Sequence, residues 1–379
     1  MTVSDARAHG PERGVAPPAG GGYRPELDGI RAVAVLLVLA FHVVQPQRFS
    51  GFIGVDVFFA LSGYLITTIL LREYDRRGRL SLRRFYARRM LRLYPALLAT
   101  IVLSFPFCTT LSGSLAQHAK NATVAATYTS NLYMTYRHRW IGGFAHTWSL
   151  ALEEQYYLVW PVVLLGLLHL GLRRQVLAAL LGVAAAVSLV FNLTEYDYGA
   201  ASYPLESTTI GLLAGSALGL LLAGPSAPAL RWFGHRAVGG VAVGLLLAEL
   251  ISFSVTSAVP GGLYVPAAVL ATALLIGYLT AQRSSPLAAA LSWAPAARLG
   301  RISYGVYLYH YPLLLALEAH LHVTRWVIAP IEVVGTIAIA AISYRFVEQP
   351  FLRLKDRFEP AEVVRPAAEA VALPSRPGR

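Results

Sequence analysis

An arginine and a histidine, Arg31 and His42, share one apolar run from Leu27 to Gln45, and this constrains the chain more than any other feature. The run is long enough to cross a bilayer as a helix. Eleven residues at about 100° each bring His42 back to within about 20° of the Arg31 face, roughly 16 Å further along the axis. A guanidinium at lipid depth costs about 2.5–3.5 kcal/mol on insertion scales. Arg31 therefore needs a cavity, a partner or a ligand, or must snorkel from its place near the start of the run. Snorkelling accounts for Arg31 as well as function does. It leaves His42 unexplained, so the pair marks a candidate path through the membrane.

The rest of the chain agrees with a membrane setting. Of 379 residues, 56% are hydrophobic and 14% charged, too apolar for a soluble domain of this size. The expected class is an integral membrane protein. Cys108, the single cysteine, excludes an internal disulfide and a Cys-rich metal site, and in its apolar surroundings it reads as a small buried hydrophobe. The net charge of +12 does not point to nucleic acid, because the arginines cluster at the ends of apolar segments, where membrane topology already demands them. Residues 1–22 read as a disordered leader and 359–379 as a disordered tail. That leaves one folded domain over 23–358.

Eleven apolar segments approach bilayer length, and the fourth, Ala119 to Tyr136, is the weakest because it carries Lys120, Asn121 and Asn131. If it does not cross, the basic stretches Arg72 to Arg92, Arg173 to Arg174, Arg231 to Arg236, Arg283 to Arg301 and Arg345 to Arg357 all fall on one side. The expected fold is therefore an all-α polytopic bundle. It has about ten transmembrane helices plus a re-entrant or weakly spanning segment, in the plasma (inner) membrane with both termini cytoplasmic. His42, Asp56, His146, Trp148, Ser149, Glu153 and Glu154 then lie towards the outer side, and the arginine-rich loop towards the inner one.

Three stretches carry candidate chemistry. Asp56 opens an otherwise apolar helix, where it either orients an imidazole or caps the helix end. Arg84, Arg88 and Arg92 recur at one-turn spacing beside Arg89, a pattern suited to clamping phosphates and equally suited to topology signalling and lipid contact. His146, Ser149 and Glu153 fall on one face if helical, with Glu154 adjacent. A carboxylate near an imidazole suits general acid–base work, whereas the alternative is an interfacial aromatic belt with solvated acids. Phosphate-loop, nucleophile-elbow and zinc spacings are absent, so no metal is expected.

Together these segments resemble the membrane-bound acyltransferase 3 family, whose members include O-antigen and peptidoglycan O-acetylases and macrolide acyltransferases. The resemblance runs from about Tyr23 to Phe358. It rests on Leu27-Asp28-Gly29-Ile30-Arg31-Ala32 with His42 eleven residues after Arg31, the block from Gly54 to Gly63, and Arg89-x-x-Arg92 with Tyr94-Pro95. The other signatures are His146-x-Trp148-Ser149-x-x-x-Glu153, the run from Ser303-Tyr304 to His310-Tyr311-Pro312, and Val347-Glu348-x-Pro350.

The resemblance implies transfer of an acyl group, acetyl for preference, from cytoplasmic acyl-CoA to a hydroxyl of a carbohydrate or glycosylated small molecule. His42 matches the histidine of the family's first helix and would be the general base. Asp56 or Glu153 would fix its imidazole, with Ser149 in the same catalytic set. Arg31, Arg88, Arg89 and Arg92 would hold CoA, and His146, Trp148, Glu154, Tyr304 and His310 would contact the acceptor. Around Ser207-Thr208-Thr209-Ile210-Gly211-Leu212 many members carry a Thr-Arg pair that this chain lacks, which puts one acceptor or phosphate contact in doubt. With no esterase-like segment after Glu359, the expectation is the membrane-only form of the family. The rival class is a proton-coupled transporter or flippase, in which the same buried groups form a pathway and no bond is made.

Overall fold

The computed structural model describes residues 23–44, 51–195, 208–223, 228–255 and 263–355. The expected leader, the expected tail, Gln45 and Ser207 lie outside them. Among the described residues there are helices and no strands, as expected where lipid forces every backbone group to be satisfied within its own segment.

Helix α1 (Pro25–Val44) starts on a proline and carries Glu26 and Asp28 in its first turn. Both features favour a helix N-terminus. Helix α2 (Ile53–Arg77) ends with Arg76 and Arg77 and closes at Gly78, φ 66°, a left-handed cap that glycine adopts without strain. After it come α3 (Leu82–Ser104), α4 (Cys108–Ser112), α5 (Leu115–Ala126) and α6 (Ser130–Arg137). A 3₁₀ turn over Gly142–Thr147 leads into α7 (Trp148–His169) and α8 (Arg174–Glu195). The second half holds α9 (Ile210–Leu221), α10 (Pro228–Phe233), α11 (Arg236–Val255), α12 (Tyr264–Ala281), α13 (Pro286–Leu291) and α14 (Ala294–Arg301). Helices α15 (Ser303–His320) and α16 (Arg325–Ser343) follow, and a π-turn over Tyr344–Glu348 joins α16 to α17 (Gln349–Lys355).

Five helical stretches are long and apolar enough to cross a membrane: Ile53–Arg77, Leu82–Ser112, Arg174–Thr194, Tyr264–Ala281 and Arg325–Leu354. The expectation of about ten exceeds this number. The weak segment 119–136 is not one helix. It breaks between α5 and α6 at Tyr128, whose φ is 52°, and the break is pinned by Gln155 Nε2 donating to the Tyr128 carbonyl at 2.8 Å.

Helix α2 is the central pillar, packing against α1, α7, α9 and α12. Its contact with α9 depends on small residues. A Cβ on Gly215 would lie 2.0 Å from the Ala60 carbonyl oxygen, and one on Gly63 would lie 2.1 Å from that of Leu212. Because lipid supplies little hydrophobic drive between helices, such close backbone approach is a main source of attraction. Hydroxyls stitch the same region: Ser216 Oγ donates to Gly63 O at 3.1 Å, and Trp160 Nε1 donates to Thr67 Oγ1 at 2.9 Å. A second apolar cluster joins α1, α3, α5 and α15 around Val38, Leu97, Phe144 and Leu308.

Candidate functional site

The start of α1, α2 from Val55 to Arg72, the first half of α3, the start of α7 and the π-turn surround a cavity of about 600 Å³. Six arginines line it, Arg24, Arg31, Arg72, Arg89, Arg92 and Arg301, against four carboxylates, Asp28, Glu153, Glu154 and Glu348. Its far wall is formed by Val55, Phe58, Ser149 and Tyr307.

Arg89 organises one side. It donates to both Glu154 carboxylate oxygens at 2.7–3.1 Å and lies 3.8 Å from Glu153. Its guanidinium carbon stands 3.2 Å above the Tyr157 ring, a cation–π contact. Glu153 accepts from Ser62 Oγ and Tyr157 OH, both at 2.5 Å. Arg31 pairs with Asp28 at 3.0 Å, one turn away on the same helix. Arg88, assigned above to the donor, is not on the cavity. It lies 3.6 Å from Glu73, because residues 88 and 89 point about 100° apart on α3.

Beyond Tyr307 lies a cluster of three imidazoles. The His42 and His310 ring centroids are 5.0 Å apart, and those of His146 and His310 are 5.2 Å apart. Tyr307 is 5.5 Å from His146 and 5.3 Å from His310, and Tyr311 is 5.2 Å from His42. His310 is fully buried, and His146 is 5% exposed. Each ring sets one nitrogen against a backbone carbonyl: His42 Nδ1 to Val38 O at 2.9 Å, His146 Nε2 to Leu308 O at 3.2 Å, His310 Nδ1 to Tyr307 O at 2.5 Å. A carbonyl can only accept, so each of these nitrogens carries the proton when the ring is neutral. The lone pairs are then on His42 Nε2, His146 Nδ1 and His310 Nε2, and the last two have no hydrogen-bond partner. A neutral imidazole with one nitrogen fixed as donor and the other bare has the tautomer a general base needs.

The hydroxyls of Ser149 and Tyr307, 2.7 Å apart, join the cavity to this cluster, and Tyr307 OH donates to the His146 carbonyl at 2.8 Å. The Ser149 hydroxyl thus meets a phenol and no imidazole.

The expected partners of His42 need correction. Its hydrogen bond is to its own helix, and those of Glu153 go to Ser62 and Tyr157, so neither Glu153 nor Asp56 fixes the imidazole among the described residues. Asp56 is buried at 8% exposure, within electrostatic reach of Glu249 on α11. Glu154 lies on Arg89, Trp148 packs edge-on against Phe59 at 6.1 Å, and Tyr304 lines the cavity. His146 precedes α7 in the 3₁₀ turn, so His146, Ser149 and Glu153 do not form one helical face.

Sequence reasoning missed Ser62, Tyr157, Tyr307, Arg72 and Arg301. The sequence marked Glu348 only through the resemblance, whereas the structure puts it at 5% exposure on the cavity. The π-turn explains the difference, since widening the helix by one residue per turn re-aims its side chains. Asp28, three residues before Arg31, was legible as an (i, i+3) partner. Among the described residues no group of three or more His, Cys, Asp or Glu side chains is placed to hold a metal ion.

Residues 24–345 match a family described as an acyltransferase domain. The chain is 32% identical over 351 residues to the peptidoglycan O-acetyltransferase OatA of Listeria monocytogenes, covering 86% of this chain and 56% of that protein. It is 32% identical over 349 residues to the O-acetyltransferase OatA of Staphylococcus aureus, at 86% and 57% coverage. Against the putative peptidoglycan O-acetyltransferase YrhL of Bacillus subtilis it is 31% identical, at 86% and 55% coverage. The chain therefore spans a little over half the length of these curated relatives. No solved structure matches it.

Proposed function

This chain belongs to the acyltransferase domain family, and from that premise we propose that it is a membrane O-acyltransferase that moves an acetyl group from cytoplasmic acetyl-CoA to a carbohydrate hydroxyl of the cell wall. The relatives' names motivate a peptidoglycan acceptor. In this reading α1, α7, α9, α11 and α15 cross the inner membrane alongside the five long apolar stretches. That makes ten spans, with both termini and the arginine-rich ends cytoplasmic.

The observation that carries the proposal is the adjacency of two unlike sites. An arginine-lined cavity ends at Ser149 and Tyr307, and three imidazoles with bare nitrogens stand directly behind them. Arg31 and Arg92 would hold donor phosphates at the basic end while the pantetheine arm runs towards Tyr307. His42 Nε2 takes the proton of the acceptor hydroxyl as its oxygen attacks the thioester carbonyl carbon. The carbon–sulfur bond breaks, and the CoA thiolate leaves and takes the proton back from the imidazolium. His146 and His310 offer their lone pairs to neighbouring hydroxyls of the acceptor. Trp148, Glu154 and Tyr304 shape its surroundings.

The test is transfer of labelled acetyl from acetyl-CoA into isolated peptidoglycan as an alkali-labile ester. Membranes carrying the wild type are compared with membranes carrying His42→Ala at equal expression. The proposal expects a loss of about 10²-fold or more in the variant. Equal label in both removes His42 as the base. Label in neither removes acetyl-CoA as the donor and leaves the transporter reading.

A further inference from the structure

Cations also stand where membrane topology gives no reason for them. Helix α6 leads away from the cavity at Tyr128 and ends at Arg137, and on the topology proposed above that end faces outward. His138, Arg139 and Trp140 follow directly. On α5 the Lys120 ammonium lies 5.6 Å above the Tyr133 ring. Tyr133 and Arg137 are one turn apart on α6, so Lys120 belongs to the same patch. Lys120, Tyr136, Arg137, His138, Arg139 and Trp140 are all exposed, and Arg137 and Arg139 make no ion pair among the described residues.

The patch continues into the imidazole cluster. The Trp140 indole N–H reaches the Tyr311 hydroxyl, and the Tyr311 ring lies 5.2 Å from that of His42 and 5.4 Å from that of His146. Trp140 is still 52% exposed, so much of its ring is open to a ligand. Glu318, an acid within electrostatic reach of Tyr311, is already paired with Arg325 at 2.7 Å. It leaves the positive charge of the patch uncancelled.

An interfacial aromatic belt accounts for Tyr136 and Trp140 alone. It does not account for the cations, because the positive-inside bias works against Lys and Arg on the outer side. Contact with lipid headgroups would occupy them, but gives no reason for Trp140 to be tied to Tyr311 beside the proposed base. Apolar faces of sugar rings rest on aromatic side chains, and carboxylates or phosphates pair with guanidiniums. Arg139 and Trp140 are adjacent in the chain, so one ligand can use both.

We infer that this outer surface, built from Lys120, Arg137, Arg139 and Trp140, receives the acceptor, and that the acceptor is an acidic glycan with a carboxylate or phosphate near the hydroxyl to be acylated. The inference rests on the acyltransferase reading for the fate of that hydroxyl. It adds the charge of the acceptor and the place where it docks.

The experiment uses the full chain purified in detergent and glycan strands freed of stem peptides, which carry a carboxylate on each N-acetylmuramic acid. The comparator is the same strands with those carboxylates converted to amides. With acetyl-CoA saturating, the acid strands should show a KM about tenfold below that of the amide strands, a gap that narrows with salt. The double variant Arg137→Gln/Arg139→Gln should raise the acid-strand KM about tenfold, with the change in KM and not in kcat. Because both side chains are exposed, its ligand-free Tm should equal that of the wild type. Equal KM for acid and amide strands in the wild type, or an unaltered acid-strand KM in the variant, overturns the surface. So does a variant that loses both kinds of strand alike, which marks a structural fault. Activity that follows added phosphatidylglycerol and not strand charge assigns the cations to lipid, and overturns it too. Binding of the acid strands is measured in parallel without donor. Charge-selective binding that needs Arg137 and Arg139, without any acetyl transfer, would sink the acyltransferase reading and keep the surface. Transfer without charge preference would keep that reading and sink the surface.

Discussion

Arg89 shows how single residues divide the labour of this cavity. Its guanidinium is spent on Glu154, Glu153 and the Tyr157 ring, with side-chain exposures of 18% for Arg89 and 16% for Glu154. It therefore fixes α3 against α7 more than it awaits a ligand. A buried pair is weak evidence for stability, but breaking it from one side is costly, about 3–5 kcal/mol, because a desolvated charge is left behind. Arg89→Met should therefore lower the Tm of the purified protein sharply. Arg89→Met combined with Glu154→Leu should recover a large part of that loss. If the double variant were as unstable as the sum of the two single ones, the pair would not be the coupled unit described here.

At the scale of elements, α2 and α9 meet through glycines, and Gly215→Leu tests that contact. The first side-chain carbon would already lie 2.0 Å from the Ala60 carbonyl, and backbone on the far side cannot yield as a flexible side chain would. The expected result is loss of the monodisperse detergent-solubilised peak in size-exclusion chromatography. The control Gly244→Leu, with open space at its Cβ, should keep the peak. This scale also shows what sequence reading reaches. The apolar runs predicted most helices, because in lipid a run of that length has one stable backbone solution. A hydropathy count alone starts α3 late, because arginine is a good helix former whose charge hides it, but the one-turn spacing of Arg84, Arg88 and Arg92 already reads as helical, and α3 begins at Leu82. The doubtful character of segment 119–136 was legible from Lys120 and Asn131, but the break at Tyr128 was not. Nor was the π-turn that buries Glu348, since one extra residue per turn leaves no compositional trace.

For the whole molecule, the sequence suggests a path shared by Arg31 and His42, and the structure places the two in different groups of side chains. Arg31 stands in the basic cavity, and His42 stands in the imidazole cluster beyond Tyr307. The clustering of His146 and His310 with His42 joins three distant stretches of chain. Only the family resemblance hinted at it, because tertiary contact between α1, the 3₁₀ turn and α15 has no local signature. The proposed transfer is directional: the donor enters at the arginine end and leaves its acetyl group at the histidine end. It can be measured with purified protein in sealed vesicles sorted by orientation, with labelled acetyl-CoA confined to one face and a peptidoglycan fragment to the other. Labelled ester is expected only when the donor is at the arginine-rich face, and none with His42→Ala. Equal label from a donor at either face, or undiminished label in the variant, would contradict it.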